Sequence, residues 1–347
     1  MSEDGSVAKM TRGLHELTGG DDRQFGGKSA GLGELLRAEI PVPPGFALGI
    51  SAFADFMAAA GLAPAADAAQ AAAMRTAIGS APVPGAVRDE IAARYAELAT
   101  AVGDPSPPMA VRSSALGEDG ADATFAGQQD TILWVRGVPD ICDAVRRCWA
   151  SLYSTEAVSY RRRFGGAAAP AMGVTVQLMV DAAVSGVMFT CNPVSGDPSM
   201  IAINASWGLG LAVVGGEVTP DDYLVSKITG EVARQSIGSK DVEYMPAPDG
   251  RGTVRVDVTG ERRSAPCLDD AARRALVDIS RRIERHFGGH QDIEWAIARG
   301  RPAPAGLSVL QTRPVTALPE RLPAASPATS ALSLVMSQFG AKPPPGG

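Results

Sequence analysis

Two acids stand two residues apart in Gln291-Asp292-Ile293-Glu294-Trp295, and an amide and a guanidinium stand two apart in Leu310-Gln311-Thr312-Arg313-Pro314. Side chains alternate along extended backbone, so Asp292 and Glu294 share one face while Ile293 points to the other, and Gln311 and Arg313 behave alike. If these strands pair through the Arg-Gly-Pro loop between them, two carboxylates, an amide and a guanidinium meet on one surface. Oxygen ligands for Mg²⁺ and a cation for a triphosphate are what such a surface offers. The same residues also fit an ordinary cross-strand salt bridge on a solvent face.

Gly26-Gly27-Lys28-Ser29 invites a P-loop reading, but that pattern needs Gly where Asp22 stands, and no apolar strand precedes it. What remains is a glycine pair presenting Lys28 beside the N-terminus of a helix expected over Ala30 to Glu39, a place that suits an anion. A third constellation is Arg112-Ser113-Ser114, followed by a run of small residues that ends Phe125-Ala126-Gly127-Gln128-Gln129-Asp130-Thr131. Such a loop is either plain surface or a lid whose backbone N–H groups approach phosphate. Gly208-Leu209-Gly210 with Gly215-Gly216 lacks the third glycine spacing and the βαβ context of a dinucleotide fingerprint.

The elements that must position these residues are legible from pattern. The chain to about Gly103 reads as helices and loops, with the alanine-rich Ala54 to Ala73 a surface or loosely packed helix. Strands are expected at Met109 to Val111, Thr131 to Val135, Met172 to Val180, Gly186 to Thr190 and Met200 to Asn204, with Gln177 set apart from an aliphatic face. A helix is expected from Pro139 to Arg163, its Arg161-Arg162-Arg163 run in the last turn either a solvated face or a phosphate contact. Tyr223 to Lys227 and Glu231 to Gln235 flank a Thr229-Gly230 hairpin turn. Asp269 to Phe287 is an amphipathic helix with Ala271, Leu276, Ile279 and Ile283 as core candidates, and Gln291 to Ile297 and Leu307 to Val315 close the fold.

Composition bounds the function. A formal charge of −6 from 38 acids and 32 bases argues against a nucleic-acid binder. No run of ~18 apolar residues suggests a membrane span, and the N-terminus has no leader pattern, so the expected location is cytoplasmic. Cys142, Cys148, Cys191 and Cys267 fit no zinc or redox spacing and read as buried small hydrophobes. Only five of the 32 bases are Lys, and there are three His.

Taken together, the segments resemble one family, the nucleotide-binding part of phosphoenolpyruvate synthase, pyruvate phosphate dikinase and rifampicin phosphotransferase. The matching stretches are Gly27 to Leu35, Pro41 to Phe46, Val111 to Ala115, Phe125 to Thr131, Asn192-Pro193, Ser206 to Gly210, Val218 to Asp221, and Gln291 to Trp295 through Gln311 to Thr316, in the family's order. The resemblance implies an α+β, ATP-grasp fold in which two lobes enclose a nucleotide cleft. The first lobe would span 1–185 with the Gly-rich lid, the second 186–316 with the metal and phosphate strands, and 317–347 would be a Pro/Ala-rich disordered tail.

By the same resemblance, Lys28, Arg112, Gly127, Thr131, Gln177, Glu294, Gln311 and Arg313 line the ATP site. Lys28, Arg112 and Arg313 would be catalytic by neutralising phosphate, and Glu294, Gln311 and Asp292 would hold Mg²⁺. The implied activity is a dikinase-type phosphotransfer in which the β-phosphoryl of ATP passes to a His on a partner subunit that carries the phosphohistidine and acceptor-binding domains, for onward transfer to a phenol, pyruvate or similar acceptor. Two departures stand out. Leu211 occupies the position of a family acid, for which Glu217 is a candidate substitute, and His15, His286 and His290 do not lie in a phosphohistidine-like segment. A non-catalytic nucleotide-binding module and a self-contained small-molecule kinase are the alternative readings.

Overall fold

A computed structural model describes residues 10–63, 68–115, 131–155, 157–159 and 170–315. Among them the chain divides into two compact units, residues 10–33 with 44–115 and 131–179, and residues 34–43 with 180–315. Gly127, the arginine run 161–163 and the expected tail lie outside the described residues.

The first unit is built on a five-stranded antiparallel sheet in the order β1 (Thr11–Gly13), β2 (Gly45–Leu48), β5 (Met172–Leu178), β3 (Met109–Ala115) and β4 (Thr131–Val135). Period two sorts its side chains. Phe46, Leu48, Met109, Val111, Val174 and Val176 enter one core with residues of α3 (Ile50–Ala59), α5 (Gly85–Val102) and α6 (Val138–Ser151). Trp149 of α6 anchors that core, its ring centroid 4.9 Å from Phe56 and 5.8 Å from Phe53.

Several expectations need correction here. The segment before Gly103 contains two strands; β1 and β2 are too short to show a period, and β2 is buried throughout. Ala54 to Ala73 is two helices, α3 and α4 (Ala68–Ser80), and α3 is core rather than surface because Phe53, Phe56 and Met57 are buried. Helix α6 ends at Ser151, well before Arg163. The helix expected at Ala30 starts earlier, after the short α1 (Asp22–Phe25), as α2 (Gly27–Arg37).

The second unit carries a six-stranded antiparallel sheet in the order β13 (Leu307–Pro314), β12 (Gln291–Ala298), β6 (Ala182–Phe189), β7 (Met200–Trp207), β8 (Asp221–Ser226) and β9 (Val232–Ser236). The Thr229-Gly230 turn joins β8 to β9 as expected, with Gly230 at φ +77°. Helix α8 (Asp270–Phe287) runs against β12; Asp269 caps it by accepting from the Ala272 amide at 2.7 Å, and Gly288 ends it at φ +69°. Leu276, Ile279 and Ile283 are buried as expected, but Ala271 is exposed and Ala272 takes its place.

A ribbon the sequence pattern does not announce, β10 (Val242–Pro246) with β11 (Thr253–Asp257), completes this unit. It grips the loop after β7. Arg262 stacks 4.6 Å from the Trp207 ring while forming a two-point pair with the buried Glu243, and the Leu209 amide donates to Tyr244 O at 2.9 Å. Beside it Lys240 and Asp221 form a fully buried ion pair, and Asp221 Oδ2 also accepts from the Cys267 amide at 2.8 Å. All four cysteines are buried and free, as the sequence suggested. Among the described residues no helix is long and apolar enough to cross a membrane.

Candidate functional site

In the first unit the face opposite the core is polar. Arg112 stands across from Thr131 on one side and Thr175 on the other, and Gln177 stands across from Ala110 and Gly45, so Arg112, Thr131, Thr175 and Gln177 share that face. Thr131 is exposed, whereas Gln177 is buried. The turn between α1 and α2 packs against the same face. Ser29 links to Thr175 hydroxyl to hydroxyl at 2.7 Å and its amide donates to Ser114 Oγ at 3.2 Å, while Lys28 Nζ donates to Ser113 O at 3.1 Å.

Close approach explains the first glycine of the Gly-Gly-Lys-Ser stretch. A Cβ on Gly26, which sits at φ +81°, would lie 2.1 Å from Ser114 O, and one on Gly173 would lie 2.3 Å from Phe25 O. Gly26 is thus a packing glycine that fixes where Lys28 emerges, rather than a flexible hinge. Period-two spacing puts Thr175 on the face of Gln177, as found, but the sequence reading missed its partners Ser29 and Ser114 as members of this polar face.

In the second unit β12 and β13 pair as the spacing predicted. Asp292 stands opposite Arg313 and Glu294 opposite Gln311, with a bulge immediately after Glu294. Arg313 Nε donates to Asp292 Oδ2 at 2.8 Å. Burial pushes the Asp292 carboxyl above the usual carboxylate range; the Arg313 charge and hydrogen bond pull it back, and Glu294 adds to the rise. Asp292 Oδ1 is buried and makes no hydrogen bond. An oxygen acceptor left over beside Glu294 and Gln311 is the donor set a hard cation takes, so the residues present fit Mg²⁺.

Glu217 has other work: Tyr244 donates to its Oε1 at 2.7 Å and Arg255 Nε to its Oε2 at 3.4 Å. It braces the ribbon and is not a free replacement for an acid at Leu211, which opens the short helix α7 (Leu211–Val214). His286 Nε2 lies 3.0 Å from Glu34 Oε2, and His290 Nδ1 lies 2.6 Å from Glu284 Oε1.

The model of the pyruvate phosphate dikinase AMP/ATP-binding domain matches residues 22–333. This chain belongs to that family. With the family come the ATP-binding role and the α+β ATP-grasp fold that the motifs implied. A probable phosphoenolpyruvate synthase of Methanothermobacter thermautotrophicus is 39% identical over 90% of this chain and 47% of its own length. The phosphoenolpyruvate synthase of Pyrococcus furiosus is 35% identical over 90% of this chain and 44% of its own length. The prodigiosin synthesizing transferase PigC of Serratia marcescens is 37% identical over 85% and 32%. The chain thus spans about half the length, or less, of the curated relatives it matches. Among solved structures, the ADP complex of the N5-carboxyaminoimidazole ribonucleotide synthetase PurK matches 84% of this chain and 45% of its own at 10% identity and a TM-score of 0.30, a likeness too slight to add to the argument.

Proposed function

We propose that the chain binds Mg-ATP for a dikinase-type phosphotransferase and passes the β-phosphoryl to a histidine on a partner subunit, giving AMP and phosphate. The register that sets Asp292 and Glu294 across from Arg313 and Gln311, in a member of an ATP-binding family, carries this reading. Lys28, Arg112 and Arg313 neutralise the phosphates, Gln177 hydrogen-bonds the nucleotide, and by the family resemblance Gly127 and Thr131 belong to the same site. Glu294, Gln311 and Asp292 would hold Mg²⁺, which would offset negative charge on the transferring phosphoryl group. The histidine is assigned to a partner subunit because none of His15, His286 and His290 lies in a phosphohistidine-like segment. The final acceptor is a small hydroxyl or enol compound such as a phenol or pyruvate.

The test is isotopic. With the partner present, β-labelled ATP should leave label on the partner's histidine and yield AMP; ADP as the product, or no labelled histidine, would sink the proposal. Leu211 supports a second reading, a nucleotide-binding module without catalysis. ATP binding with no AMP formed in the presence of the partner favours it, and Leu211→Glu is then the variant that should restore turnover.

A further inference from the structure

Strand β4 breaks the alternation of side chains. Val135 lies in the apolar core and Ile132 packs against it, although three residues of regular strand would put them on opposite faces. The pairing with β3 shows how both reach the core. Val135 stands across from Met109 and Ile132 across from Val111, so Ala110 alone faces Leu133 and Trp134. Trp134 takes up the surplus residue. Its φ is +56°, a left-handed conformation that Glu39 alone shares among the described non-glycine residues.

Glycine suits such a position, because a Cβ crowds the backbone at positive φ. A tryptophan there carries a second cost, since its Nε1 is buried and makes no hydrogen bond. The ring is braced in place. The Arg136 guanidinium lies 5.9 Å from its centroid, and Arg136 in turn donates to Ser106 O and pairs with Asp104 at 3.6 Å.

The register shows what the bulge gains. Regular pairing continued from Met109 and Val135 would set Ile132 opposite Arg112 and Thr131 opposite Ser113, with Thr131 on the core side. The bulge instead puts Thr131 across from Arg112 on the polar face, where it is exposed. We infer that Trp134 is a positioning residue, whose left-handed backbone fixes the register that turns Thr131 toward Arg112 and away from the core. This rests on the Mg-ATP reading, in which Thr131 and Arg112 belong to the nucleotide site. It assigns the orientation of Thr131 to a residue outside the motif that ends there.

Thr131→Cys provides a readout that needs no nucleotide. A maleimide should label the introduced thiol of the full chain rapidly, because the four native cysteines are buried. Adding Trp134→Val, whose branched side chain disfavours positive φ, should slow labelling about tenfold. Adding Trp134→Asn or Trp134→Gly, which tolerate that conformation, should leave it fast. Equal labelling in the Val and Asn variants overturns the inference. If Trp134→Val does not fold, deletion of Trp134 replaces it. Losing the surplus residue restores regular pairing with Thr131 still across from Arg112, so labelling should stay fast, and a protected thiol overturns the inference.

ATP affinity is measured in parallel by isothermal titration. Trp134→Val should weaken it about fivefold in the wild-type background and not at all beside Thr131→Ala, a dependence that general loss of stability would not produce. An equal loss beside Thr131→Ala overturns the inference. Absence of ATP binding by the wild type defeats the nucleotide reading and leaves the labelling result standing, whereas ATP binding with equal labelling defeats this inference alone.

Discussion

Asp292 and Arg313 face each other across β12 and β13, and the guanidinium meets one carboxylate oxygen, Oδ2, while the other, equally buried, accepts nothing. Half of the carboxylate is committed to holding the strands together, and the other half is buried without a hydrogen bond.

Removing Arg313 therefore affects stability before chemistry. Arg313→Ala strands a buried carboxylate and should cost about 3 kcal/mol in urea unfolding, while the double variant Asp292→Asn, Arg313→Gln should recover most of it. An Arg313→Ala protein as stable as wild type would show that the pair is not buried in solution.

Lys28→Ala and Arg112→Ala should weaken ATP binding by about tenfold or more, since each deletes a cation assigned to phosphate. Circular dichroism should stay native, because neither side chain belongs to the apolar core. Isothermal titration decides it: wild-type affinity in both variants would remove Lys28 and Arg112 from the proposed ATP site.

Gly26→Ala should destabilise by about 2 kcal/mol or more, because the new methyl would collide with Ser114 O at a positive φ. Gly289→Ala, where a Cβ meets nothing within 4 Å, should stay within about 0.5 kcal/mol of wild type. Thermal melts of the two variants compare them directly.

Burial pushes the Cys191 thiol up to about 11, with Glu284 adding to the rise and Lys227 opposing it. The folded chain thus keeps a proton that the unfolded chain gives up from 9.0 upward, so this contribution to stability falls as pH rises from there to about 11. Urea midpoints should show that fall, and Cys191→Ala should make it shallower, since burial also raises Cys142, Cys267 and Tyr223. A thiol reagent near neutral pH should modify none of the four cysteines until denaturant is added; rapid labelling of the native chain would contradict their burial.

Local rules reached the paired strands of the second unit and the polar edge of the first because alternation is a short-range signal. Asp292, Glu294, Gln311 and Arg313 could be placed on one face from spacing alone, and β4 was bounded to the residue. The rules failed where burial, not period, decides. Gly45 to Leu48 is inside on both faces and carries no alternation, and α3 looked like surface because its alanines hide the contribution of Phe53 and Phe56.

The bulge after Glu294 has a consequence for how this gene can change length. Losing one residue within β12 would exchange the faces of Asp292 and Glu294 with those of the buried Ile293 and Trp295, so a single-codon deletion there would destroy the packing and the Asp292–Arg313 pairing together. Leu310 is the extra residue of the bulge, since Gln311 pairs with Glu294 and Val309 with Trp295. Deleting it would restore regular pairing and leave Gln311 and Arg313 where they are, which makes position 310 the one place in these two strands where a codon can be lost without exchanging the sheet's faces.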